Sequence, residues 1–182
     1  ITQTSSFIFN QQNFAVITCS IVYGMTAHRL NSISLKKKQL VANQIILWRH
    51  GQTDWNVANK FQGHTDIPLN EVGKFQAAHA APLIAAINPT AIIASDLSRA
   101  QSTAHELVKL TGLEVTTDAR LRETNCGNWE GLTGEEIRKV DLDNLKEWSL
   151  GGDNPAGTIG ERRSEVGARG FAAITDFLKD KD

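Results

Sequence analysis

Ile45-Ile46-Leu47-Trp48-Arg49-His50-Gly51-Gln52-Thr53-Asp54-Trp55-Asn56 is a short apolar run that stops abruptly at an arginine, a histidine and a glycine. A run of this length reads as a buried strand, and in open α/β sheets ligands sit at the carboxyl ends of strands. Arg49 offers a planar fork of donors matched to phosphate or carboxylate, and His50 can serve as nucleophile, acid or base near neutral pH. Gly51 allows backbone to approach the same spot. Taken alone, Arg-His-Gly fits a strand running into an ordinary polar loop equally well, so the flanking sequence has to decide.

Downstream, strand and helix patterns alternate as a βαβ protein requires. Asn70 reads as the N-cap of a helix reaching about Ile87, with Glu71 in its first turn; Val72, Phe75, Leu83, Ile84 and Ile87 form its expected apolar stripe. Pro82 is expected to kink that helix or end its first segment, and His79 to be a half-buried packing residue. Thr90 to Ala94 makes a second buried strand, leading through Ser95-Asp96-Leu97-Ser98-Arg99-Ala100 into a helix that stops at Thr111-Gly112. Arg99 then falls in the first helical turn, where free N–H groups already favour an anion. Leu113 to Thr117 is a third short strand, followed by Leu121-Arg122-Glu123-Thr124-Asn125-Cys126-Gly127-Asn128-Trp129-Glu130-Gly131. Thr133 with Glu136 forms a capping box. A second short helix spans about Asp141 to Leu150, Gly151 to Gly160 reads as a flexible loop, and a last helix runs from about Arg163 to Leu178 with Val166, Phe171, Ile174, Phe177 and Leu178 at helical spacing.

In a doubly wound sheet the three strand ends bring together Arg49-His50, Arg99 and Glu123. Two arginines, a histidine and a carboxylic acid suit phosphoryl chemistry: the arginines neutralise the phosphate, His50 attacks phosphorus, and Glu123 protonates the departing alkoxide. No cluster with metal-ligand spacing is present, and none is required, so neither metal nor cofactor is expected.

Composition agrees with a soluble globular class. The 182 residues carry a formal net charge of -1 with 21% charged and 41% hydrophobic residues, which gives no basic field for nucleic acid. Cys19 and Cys126 match no metal or disulfide spacing, which favours a cytoplasmic setting. Phe14 to Tyr23 is too short for a membrane span, and no positive charge precedes it as a secretory signal would need. Residues 1–43 are therefore read as an irregular N-terminal extension, with Met25 as the start and Lys36-Lys37-Lys38 as a solvated linker. Residues 44–182 are read as the N-terminal part of the phosphate-binding domain.

The stretch Leu47 to Asn56, the stretch Ser95 to Ala100 and the stretch Leu121 to Gly131 together resemble, in order, the motifs of the histidine phosphatase superfamily, the phosphoglycerate mutase-like proteins. The resemblance implies a three-layer α/β/α fold with a mostly parallel sheet. It implies a phosphohistidine at His50, phosphoryl oxygens held by Arg49 and Arg99, Glu123 as proton donor, and substrate contacts from Gly51, Gln52, Thr53, Asn56, Gln62 and Gly63. His64 is a further substrate-pocket candidate. The run from Glu123 to Gly131 looks like the phosphatase branch, most similar to actinobacterial glucosyl-3-phosphoglycerate phosphatases and broad-specificity acid phosphatases. The implied partner is a small phosphorylated metabolite, such as glucosyl-3-phosphoglycerate or another sugar phosphate, and self-association into a homodimer is left open. Phosphoglycerate mutase activity and a non-catalytic phosphate-binding module are the alternatives. The family's second histidine, in a Ser-His-Gly-type motif on a later strand, has no counterpart here, so an incomplete copy with reduced activity is expected. Without that strand, two neighbouring strands should each lack a partner along one edge.

Overall fold

Strand β2 (Gln44–Arg49) lies at one edge of a four-stranded parallel sheet, and its partner comes from the N-terminal segment. The computed structural model describes residues 14–19 and 44–179. Within them, β1 (Phe14–Cys19), β2, β3 (Ala91–Ala94) and β4 (Val115–Thr117) are ordered β2-β1-β3-β4. The register pairs Val16 with both Ile46 and Ile92, and Thr18 with both Trp48 and Ala94. This differs from expectation. An irregular segment is anticipated over 1–43, yet Phe14–Cys19 forms a strand there and joins the two edges that the sequence leaves open. β-branched Val16, Ile17 and Thr18 suit a pleated strand. The remainder of 1–43, including Met25 and the lysine run, lies outside the described residues.

The strands are faced from both sides, giving three layers. Ile46, Trp48, Ile92 and Ala94 pack with Leu69, Ala77, Ala81, Ala104 and Leu107 of α2 (Glu71–Ala85), α3 (Ser98–Thr111) and the loop before α2. The alternate residues Ile45, Ala91 and Ile93 pack with Leu121 and with Ala173, Phe177 and Leu178 of α6 (Arg163–Lys179). Between β2 and α2 sits the short α1 (Asp54–Val57). Between β4 and α6 the chain makes two 3-10 turns, Ala119–Leu121 and Gly127–Trp129, then α4 (Gly134–Val140) and α5 (Leu142–Ser149). Those elements carry their own small core of Trp129, Ile137, Leu145 and Ala156, flanked by Phe61 and Trp148. Asn70 caps α2 by accepting from Gly73 N–H, and Thr133 with Glu136 forms the expected capping box at α4. Among the described residues no helix is long and apolar enough to cross a membrane.

α2 turns the opposite face to the one its large apolar residues predict. Gly73, Ala77 and Ala81 are buried, whereas Val72 is 51%, Phe75 68% and Leu83 72% exposed. His79, expected to be half buried, is exposed and stacks on Phe75. The cause is distance. A Cβ on Gly51 would lie 2.2 Å from Gly73 O, and one on Gly73 would lie 2.0 Å from Gln52 O, so only a small-residue face can come this near. Pro82 does not end the helix, because it stands in the last turn, where Ala86 N–H still bonds to Pro82 O at 3.0 Å.

Gly73→Ala is accordingly expected to destabilise the protein by about 1–3 kcal/mol, although alanine is the better helix former by roughly 1 kcal/mol. Urea unfolding measures this, and a gain in stability would refute the close approach.

The glycine-rich segment 151–160 is packed rather than loose. A Cβ on Gly157 would meet Cys126 O at 2.1 Å and one on Gly160 would meet Asn125 O at 2.2 Å, while Glu161 N–H donates to Asn125 O at 2.9 Å. Gly157 and Gly160 serve close backbone contact with the segment after Glu123, whereas Gly151 has nothing within 4 Å of where a Cβ would stand.

Candidate active site

His50 is the first residue beyond β2 and is 8% exposed. Its Nδ1–H donates to Gly51 O at 2.6 Å, which leaves Nε2 with the lone pair. Burial, followed by the charges of Arg99 and Arg49, lowers its pKa from 6.5 to about 4 against the opposing pull of the Gly51 carbonyl. The ring is therefore neutral at ordinary pH. Gly51 is in turn anchored to α3, its N–H donating to Thr103 Oγ1 at 3.3 Å while that hydroxyl donates to Arg99 O at 2.8 Å.

Arg99 has no exposed surface. Nη1 donates to Thr65 O at 3.0 Å and Nη2 to Gly63 O at 2.9 Å. Its buried Nε–H has no acceptor among the described residues, a burden that an anionic oxygen would relieve. Leu97, at the N-cap of α3, makes no side-chain cap; Asp66 accepts from Ser98 N–H at 2.9 Å instead, so one loop both caps the helix and holds its arginine. Gly63 needs its positive φ of 52°, and a Cβ there would strike Glu130 Oε1 at 2.0 Å.

Glu123 lies between the two 3-10 turns, and burial raises its pKa above the ordinary carboxylate range. The opposing influences are its bond from Thr124 N–H and the charges of Arg99, Arg49 and Arg169. The charges of Arg49 and Arg99 thus act on both His50 and Glu123, which puts the four residues in one another's neighbourhood. Arg49 is itself exposed.

The remaining expected contacts divide. Asn56 uses its side-chain oxygen to accept from Thr53 N–H at 2.9 Å, and Gln62 uses its own to accept from the Thr53 hydroxyl at 2.8 Å, so neither oxygen depends on a ligand. Thr53 is fully buried and its side chain serves as the N-cap of α1. Gln52 has its oxygen bonded to Asn70 Nδ2 at 3.1 Å, tying it to the start of α2. His64 donates from Nε2 to Glu123 O at 2.9 Å and lies 3.6 Å from Glu161, which makes it a neighbour of the carboxylic acid.

Five acidic or basic residues that frame the site escape a reading of the sequence. Glu130 accepts from the N–H groups of His64, Thr65 and Cys126 at 2.8, 2.9 and 3.1 Å and so fixes the loop that grips Arg99. Arg122 pairs with Asp96 at 2.7 Å, joining the second strand exit to the third. Arg169 and Glu161 reach the same region from α6 and the loop before it. Glu130, Arg122 and Asp96 stand inside the sequence motifs, which was the available signal; Arg169 sits on a helix face with no such mark.

The Histidine phosphatase superfamily (branch 1) matches residues 45–182. The chain belongs to this superfamily. Its sequence is 47% identical over 96 residues to the glucosyl-3-phosphoglycerate phosphatase of Mycobacterium tuberculosis, covering 53% of this chain and 43% of that relative. It is 38% identical over 136 residues to a probable phosphoglycerate mutase GpmB of Yersinia enterocolitica, covering 75% of this chain and 63% of that one. The chain thus spans less than two thirds of the length of these curated relatives. Among solved histidine phosphatase-like structures, a mycobacterial glucosyl-3-phosphoglycerate phosphatase complexed with VO3 superposes with a TM-score of 0.68 at 40% identity, over 72% of this chain and 65% of that chain. Bacillus stearothermophilus YhfR gives 0.66 at 33%, over 72% and 65%. The α/β fold with its parallel sheet is that of these neighbours.

Proposed function

We propose that the protein is a metal-independent phosphomonoesterase that works through a phosphohistidine at His50 on a small sugar or organic phosphate. The observation that carries the reading is the pairing of a neutral histidine, its Nδ1 locked on Gly51 O, with a buried carboxyl group whose pKa burial raises. The two groups do opposite jobs in one step. His50 Nε2 donates its lone pair to phosphorus, the ester P–O bond breaks, and Glu123 gives its proton to the leaving alkoxide. Water then attacks phosphorus, the P–N bond returns its pair to Nε2, and the Glu123 carboxylate takes the proton released. Arg49 and Arg99 balance the phosphoryl charge throughout, and the amides of Asn56 and Gln62 orient it.

The names of the mycobacterial relatives suggest glucosyl-3-phosphoglycerate as a substrate to try first. Longer similarity to probable phosphoglycerate mutases favours a second reading, in which the phosphoryl group returns to a phosphoglycerate instead of water. The two share the first half-reaction and part only at the acceptor.

Rapid mixing with labelled phosphate ester and quenching should trap acid-labile, base-stable phosphate on the peptide containing residue 50. Label elsewhere, or undiminished label in His50→Ala, would overturn the proposal. Release of inorganic phosphate from glucosyl-3-phosphoglycerate, set against isomerisation of 3-phosphoglycerate, separates phosphatase from mutase.

A further inference from the structure

Glu123 is expected to move a proton, yet it belongs to no helix or strand that would hold it. Its position depends on what grips its main chain. α6 supplies that grip through Arg169, whose side chain is 18% exposed. Nη1 donates to Arg120 O and to Arg122 O, each at 2.7 Å, and Nη2 donates to Glu123 O at 2.8 Å. One guanidinium therefore gathers three carbonyls along a single irregular turn. Glu161 orients that guanidinium bidentately, Oε1 accepting from Nε at 2.7 Å and Oε2 from Nη2 at 2.8 Å. Glu161 also accepts from Asn125 N–H at 2.8 Å, so it fixes the chain on the far side of Glu123. His64 adds a second donor to the Glu123 carbonyl from the loop that holds Arg99.

We infer that Arg169 and Glu161 form a clamp that positions the Glu123 carboxyl for proton transfer, with His64 as its link to the phosphate-binding arginine. The inference rests on the reading of Glu123 as proton donor. Five N–H donors in a fixed plane are what the clamp needs, and an ammonium cannot reproduce them: a lysine at 169 would keep the charge while losing the fork. A displaced Glu123 would fail most where the leaving group most needs a proton. An alkyl phosphate departs as a strongly basic alkoxide, whereas 2,4-dinitrophenolate departs without help. This gives a readout that loss of stability alone would not move.

The experiment compares the 182-residue chain with Arg169→Lys, Glu161→Gln, Glu123→Gln and the Glu123→Gln/Arg169→Lys pair, on glycerol 3-phosphate and on 2,4-dinitrophenyl phosphate. General-acid assistance supplies about 10²- to 10⁴-fold, so Glu123→Gln should lose that range in kcat on the alkyl ester and far less on the aryl ester. Arg169→Lys should lose at least about 10-fold in kcat on the alkyl ester and under about 3-fold on the aryl ester, a fraction of the same assistance. Glu161→Gln, isosteric and less disruptive, should fall between wild type and Arg169→Lys, and it decides the matter if Arg169→Lys does not fold. In the paired variant the lysine should add almost nothing to Glu123→Gln, as residues acting through one group do. Equal losses on both esters, or additive losses in the pair, overturn the clamp alone. If Glu123→Gln leaves the ratio of the two esters unchanged, or the unaltered chain turns over neither ester, the assignment of Glu123 falls and the clamp falls with it.

Discussion

Replacing His50 by alanine should lower kcat/KM by at least about 10⁴-fold, the scale on which removal of a covalent nucleophile acts. Binding of inorganic phosphate should change little, because Arg99 keeps its two backbone anchors on Gly63 and Thr65 whatever stands at position 50. Calorimetric titration with phosphate therefore separates loss of chemistry from loss of the site. Turnover within about 10-fold of the unaltered chain is incompatible with a phosphohistidine at this position.

The pH dependence follows from the same environment. His50 in the free protein titrates near 4, so the acid limb of kcat/KM should lie near there and not at the ordinary histidine value of 6.5, once the second ionisation of the ester near pH 6 is allowed for. The basic limb should report Glu123 losing its proton, above the ordinary carboxylate range. Stability carries opposite signs for the two groups. Between pH 6.5 and 4 the unfolded chain binds a proton that folded His50 refuses, so stability falls as pH drops through that window, by about 3 kcal/mol at most. Glu123 holds its proton longer when folded, so its contribution is lost as pH rises past its raised value. Urea midpoints at several pH values test this, and the His50→Ala variant should lose the acid-side slope.

The site was more legible in the sequence than its supports were. His50 and Arg99 announce themselves because each follows a short apolar strand, whereas Glu123 follows the largely polar and exposed Val115–Thr117 and is marked only by its own motif. Asn70 and the Thr133 and Glu136 pair were legible because caps are local, spanning three residues. The buried face of α2 was not, since hydrophobicity ranks Val72, Phe75 and Leu83 above Gly73, Ala77 and Ala81, while the geometry rewards small size at the close contact with Gly51 and Gln52. Arg169 was silent for a different reason. Its partners are main-chain carbonyls 46, 47 and 49 residues away, and a carbonyl leaves no trace in the residue types. β1 was hidden by its surroundings, a segment without periodicity, and its pairing with β2 crosses 30 positions, Phe14 to Gln44.

β1 is also where a change remote from the chemistry should do most damage. β2, which carries Arg49 and delivers His50, pairs with β1, and β1 pairs with β3, whose exit leads to Arg99. Parallel neighbours lie about 4.8 Å apart, so β1 spans a gap of roughly 10 Å that no hydrogen bond can cross. Among the described residues nothing else joins β2 to the sheet. Removing residues 1–43, and β1 with them, should therefore leave 44–182 without a cooperative urea transition, because the loss of both ladders detaches β2 from the sheet and rivals the whole 5–15 kcal/mol of a typical domain. Val16→Pro is the finer probe. It deletes one N–H from the middle of a strand paired on both sides and should destabilise by about 3 kcal/mol or more, since proline is confined to sheet edges. Both changes should abolish phosphate binding along with the fold, because the distance from His50 to Arg99 is set across β1. An unchanged midpoint and slope for residues 44–182, or an innocuous Val16→Pro, would mean that the sheet closes without this strand.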